Sequence, residues 1–268
     1  MVLGCDDLRL GGTLSSTGIT GGVSINGTAY SVTDWSSIFG TAGLSSSQVE
    51  VYGRPGAFTA GDLLGLPYSF NLDLAILDRN STGGLSEPTY PEQLQANTDA
   101  FLALLASSSP QLLEVDMPDG TSRFRRVTNF FPAPIRQPRA LRTITAPLAD
   151  NWPYWHEGGN ESTDTITGAD TLVVGGNVDV YDAVLVFAGD GTFTHSTLGW
   201  AIEVVGSSGA VTVDLGNRTV EEGGNPAPNR IRRTVVPGSG RVWGWFTDGN
   251  NSVTSDVSVV VTWRDQYQ

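Results

Sequence analysis

Lysine is absent from this 268-residue chain, whose fifteen basic residues are all arginine. Chemistry that needs a lysine, such as a Schiff base or a Walker-type phosphate loop, is excluded. Cysteine is scarce as well. Cys5 stands alone and cannot form an intrachain disulfide, and with only His156 and His195 beside it there are too few ligands for a Cys/His zinc centre. No metal dependence and no cofactor is expected. No apolar run approaches the roughly 18 residues that span a bilayer, and Met1 to Gly11 lacks a basic segment leading into an apolar one. Neither a membrane span nor a signal peptide is expected, and synthesis in the cytoplasm is. Positive charge is the scarcer sign: 15 basic against 28 acidic residues give a net charge of −13. That balance argues against specific nucleic-acid binding and against anionic membranes. Gly-x-Ser-x-Gly and His-Glu-x-x-His are also missing, so no enzyme is expected.

What is present describes a turn-dense, mainly β protein with room for two cores: 33 Gly, 14 Pro, 39% apolar and 16% charged residues. Val23 to Val32 reads as a hairpin around Asn26-Gly27, and Tyr68 to Leu77 alternates with the period of a half-buried strand. Gly53 to Asp62 reads as a Gly/Pro-rich loop carrying Arg54. Thr89 and Glu92 at capping-box spacing, followed by Leu94, Phe101, Leu102 and Leu105, predict one helix at about 90–107. A second hairpin is expected for Leu112 to Met117 and Ser122 to Phe130. Prolines 132, 134, 138, 147 and 153 then mark a linker, with domains expected at 1–140 and 141–268. Beyond it, seven or so strands separated by Gly, Asn and Asp turns predict a β-sandwich.

Three groups of residues invite a functional reading. Six arginines lie between Arg123 and Arg142; alternation divides Arg123, Arg125 and Arg126 between two faces, and a protein interface with acidic neighbours fits them better than a nucleic-acid patch. Trp200, Trp243 and Trp245 suit either a sandwich core or a platform for a glycan. His156 beside Glu157, His195 near Asp190, and the pairs Asp6-Asp7 and Glu221-Glu222 are read as structural or solvated, since neighbours on an extended chain point to opposite faces.

The run Arg54-Pro-Gly-Ala-Phe58, Gly61-Asp-Leu-Leu-Gly65 and the strand Phe70 to Leu77, followed by a helix and a hairpin, resembles the N-terminal belt domain of siphophage distal tail proteins. Pro147 to Trp155, Val213 to Thr219 and Val259 to Tyr267 resemble the linker and galectin-like C-terminal sandwich of the same family, the minor tail proteins of phages with actinobacterial hosts. The resemblance implies a β belt domain with one helix followed by a galectin-like or jelly-roll sandwich. It implies a virion protein of the tail tip: a homohexameric ring joining the tube of a long non-contractile tail to its baseplate and letting DNA pass. The tail tube protein, the tape measure protein and tail-tip hub proteins would be its partners. Arg54, Arg123, Arg125 and Arg126 are then candidate subunit contacts. The alternative is a carbohydrate-binding module that holds host cell-wall glycan through the C-terminal sandwich.

Overall fold

The computed structural model describes residues 7–27, 29–34, 38, 44–50, 57–65, 68–79, 90–107, 109–129, 135–136, 142–150, 154–234 and 243–267. The chain divides into two compact units, Met1–Gly43 with Gly65–Gly159, and Leu44–Leu64 with Asn160–Gln268. The first unit ends at Gly159, and Leu44–Leu64 is grouped with the second.

The first half holds strands β1 (Leu8–Leu10), β2 (Thr13–Ser15), β3 (Gly18–Thr20), β4 (Val23–Ser24), β5 (Tyr30–Asp34), β6 (Leu44–Glu50), β7 (Ala57–Gly65) and β8 (Tyr68–Ile76). Helix α1 (Tyr90–Leu105) comes next, then β9 (Gln111–Asp116), β10 (Ser122–Asn129), β11 (Ile135–Arg136), β12 (Arg142–Asp150) and β13 (Trp155–Glu157). The first unit is built on an antiparallel sheet in the order β4-β1-β9-β10-β12-β8-β5. Phe70, Leu72, Leu74 and Ile76 of β8 are buried while Ser69 and Asn71 are exposed, which is the alternation the sequence carries. Helix α1 lays Leu94, Phe101 and Leu105 into this core, each worth about 1.5–3 kcal/mol of apolar burial. Polar ties fix its position: Tyr30 Oη donates to the Asn97 carbonyl at 3.0 Å, and Asn97 Nδ2 donates to the carbonyls of Leu77 and Arg79 at 2.7 and 3.0 Å.

Three local expectations change. Val23 to Val32 is no hairpin: β4 pairs with β1 and β5 with β8, at opposite ends of the sheet order. Alternation tells which face a side chain takes and leaves the neighbouring strand open. Second, Ala57 to Asp62 belongs to β7, which pairs with β6, instead of a loop. Third, the proline-rich stretch contains β12, paired with β8 from Arg142 to Asp150. Pro147 lies within this pairing, opposite Asn71.

The second half contributes β14 (Ser162–Val174), β15 (Val184–Phe187), β16 (Gly191–His195), β17 (Trp200–Val204), β18 (Val211–Asp214), β19 (Thr219–Glu222), β20 (Asn225–Pro226), β21 (Ile231–Thr234), β22 (Gly249–Trp263) and β23 (Gln266–Tyr267). Strands β20-β19-β18-β15-β22-β16-β17-β21 follow one another, with β14 along the remaining edge of β22. The last long strand is shared: Val259 to Thr262 pair with β15, and Val253 to Ser255 pair with β16. A bulge between Ile166 and Gly168, the glycine at φ +88°, lets β14 follow that course. The inner faces meet in a core of Ile166, Leu172, Leu185, Phe187, Phe193, Trp200, Val213, Phe246, Val259 and Val261. Among the described residues the protein is mainly β, with one α-helix and a C-terminal β-sandwich. Outside the named strands, Phe246 bridges to Val180.

Candidate interface and ligand-contact residues

The pleat of β10 separates its arginines. Arg125 lies opposite Leu113, which lies opposite Leu10, so Arg125 faces the core and is only 1% exposed. Its guanidinium sits 4.4 Å from the centre of the Trp155 ring, whose π face offsets part of the cost of burying the charge. Arg123 shares that face and is half-buried, whereas Arg126 projects to the opposite side and is exposed. Arg54 lies outside the described residues. Of the candidate contacts that are described, Arg126 is the one presented to solvent.

A second charged group escaped sequence reading. On the other face, Arg9, Glu114, Phe124 and His156 follow one another across four strands. Arg9 Nη2 donates to both carboxylate oxygens of Asp116 at 2.7 Å, and its Nε lies 3.5 Å from both Asp7 and Glu114. Burial pushes the Glu114 carboxyl above its usual range, Arg9 draws it back, and Asp116 and Asp7 push it up again. His156 stacks on Phe124 with centroids 5.1 Å apart. Asp7, read as solvated, is thus part of an ion cluster with Arg9 nearby in sequence and Glu114 and Asp116 far from it.

In the sandwich, Trp200 is 2% exposed and donates its Nε1–H to the Trp245 carbonyl at 3.0 Å; both rings belong to the core. Trp243 is half-buried, with the exposed Arg233 guanidinium 4.4 Å from its centre. Of the three residues proposed for a glycan platform, Trp243 alone retains ring surface toward solvent.

The histidine readings resolve as packing. His195 is fully buried and bonded to Asn251, while Asp190 accepts instead from the amides of Gly206 and Ser207 at 2.7 and 2.6 Å. Glu222 pairs with Arg230 at 2.8 Å and accepts from Ser208 Oγ. Among the described residues, no group of three or more His, Cys, Asp or Glu side chains is placed to hold a metal.

No family model matches the sequence, and no curated protein does. A solved structure does match: the crystal structure of the SPP1 Dit (gp 19.1) protein, described as a paradigm of hub adsorption apparatus in Gram-positive infecting phages. The two share 12% sequence identity with a TM-score of 0.65, over 97% of this chain and 99% of that one. The chain has the fold of the SPP1 Dit protein from end to end.

Proposed function

We propose that this chain is a structural protein of a long non-contractile phage tail, forming a ring that joins the tail tube to the tip and leaves a passage for DNA. The likeness to SPP1 Dit across both units carries the reading. The ring, of six subunits, forms through the first unit, with the tube, tape measure and hub proteins as neighbours. No catalytic step is part of the role. An acidic chain suits the wall of a DNA passage, since repulsion keeps the nucleic acid mobile. Head-to-tail contacts between copies must close or polymerise, and a closed ring is the soluble outcome.

Cryo-EM of intact tails tests this directly: a single copy on the virion, or a ring built from sandwiches, defeats it. A truncation for ring formation should end after Gly159, because an end at 140 removes β12 from the middle of the sheet and an end before 155 removes β13, which pairs with β10. Arg126→Glu is the informative charge reversal. Arg125→Glu would place a carboxylate in the core and report on folding instead. Trp243 supports a second role compatible with the first, contact between the sandwich and host-surface glycan. Retention on a glycan affinity gel that is lost in Trp243→Ala would establish it.

A further inference from the structure

We propose that His195 is an acid-released catch for the four-residue turn, 196–199, that joins β16 to β17. The Asn251 amide is oriented by its own donations, from Nδ2 to the carbonyls of Thr247 and Gly249 at 2.8 and 3.1 Å. Its Oδ1 therefore points to His195 Nε2 at 2.8 Å, and also accepts from the Thr247 amide and hydroxyl. An acceptor there obliges Nε2 to carry the ring proton, so Nδ1 is bare and accepts the Leu198 amide at 3.2 Å. One neutral tautomer satisfies both partners.

A second proton can enter only at Nδ1, where it meets the Leu198 N–H, a donor facing a donor. The ring is 0% exposed and lies 5.5 Å from the Trp200 ring and 5.8 Å from that of Phe246. Around it stand Asn251 and Val253 of β22, Trp200 of β17, Phe246 and its own turn. Among the described residues no carboxylate pairs with it, so the new charge must reach water. Besides the Leu198 bond, the turn is held by the Gly199 amide on the His195 carbonyl and by the Ser196 amide on the Ser252 carbonyl, both at 2.8 Å. Displacing Leu198 thus frees the turn on the Nδ1 side, while the Ser196 and Gly199 bonds keep its two ends.

Burial holds the imidazole below its ordinary titration range. The folded value lies below the unfolded value of about 6.5, so the catch is fully closed above that pH and weakens as pH falls through and below it. Neutral solution keeps the turn shut, and acid opens it.

Hydrogen exchange and histidine NMR on the full chain test this. After correction for intrinsic exchange, protection of the Leu198 amide should fall by about tenfold per pH unit as pH drops below the unfolded histidine value of about 6.5, and level off below the folded His195 midpoint. The amides of β22 should keep theirs over the same range. His195→Gln should abolish the dependence. Asn251→Asp, which sets a carboxylate against Nε2, should move release to higher pH, so the proposal remains testable if the glutamine variant does not fold. Unchanged Leu198 protection between about pH 7 and 5 overturns it. So does the same pH dependence in His195→Gln, which would place the response at His156 or at carboxylates.

Discussion

Gly244→Ala puts the packing argument for the sandwich under direct strain. A β-carbon at position 244 would lie 2.7 Å from three ring atoms of Trp200, Cδ2, Cε2 and Cε3, well inside van der Waals contact. The ring cannot swing away cheaply, since Phe193, His195 and Phe246 surround it and its Nε1–H is held by the Trp245 carbonyl. Overpacking of this kind costs about 1–3 kcal/mol, and loss of the indole hydrogen bond would add about 1 kcal/mol. Against this, replacing glycine removes backbone freedom from the unfolded chain, worth about 0.4–1 kcal/mol. The expected balance is about 1–3 kcal/mol of destabilisation. In urea the midpoint should fall without change in slope, read by near-UV circular dichroism of the tryptophans. Trp200→Phe, with the smaller ring, should shrink the alanine's cost in a double-mutant cycle. A Gly244→Ala protein as stable as the parent, or a cost that persists with phenylalanine at 200, would refute the geometry.

In the first unit, Arg9→Ala leaves Asp7, Glu114 and Asp116 facing one another and should cost about 1–3 kcal/mol in urea, because solvent reaches Arg9, Asp7 and Asp116 and Glu114 alone is buried. Glu114→Gln should recover part of that, and the deficit should narrow in acid as the buried Glu114 protonates first. Asn97→Ala strands the Leu77 and Arg79 carbonyls and should cost about 1–3 kcal/mol, with α1 losing hydrogen-exchange protection ahead of the sheet. Arg218, a non-glycine at φ +59°, should gain about 1 kcal/mol on replacement by glycine, seen as a higher melting temperature.

Residue pattern alone carried the β character, helix α1, the β9–β10 hairpin and the buried face of β8 formed by Phe70, Leu72, Leu74 and Ile76. Each rests on contacts within a few residues: an amphipathic stripe, a turn of Pro118-Asp119-Gly120-Thr121, a period of two. The same period separated Arg125 from Arg126 before any coordinates. It could not say that Arg125 would be the buried one, because that depends on Leu113 and Leu10 arriving on its face and Trp155 arriving over its guanidinium.

Partners distant in sequence were settled by tertiary structure alone. Strands β4 and β5 go to opposite ends of a sheet although Val23 to Asp34 holds both, since a strand's alternation encodes a face and its hydrogen-bonding edges are chemically alike. Arg9 meets Asp116 across 107 positions, and His195 meets Asn251 across 56, and neither pair leaves a local mark. Trp200, Trp243 and Trp245 are equivalent as letters; the fold buries two and leaves the third under Arg233. Local chemistry determined which elements form, and long-range packing decided which side chains remain available for function.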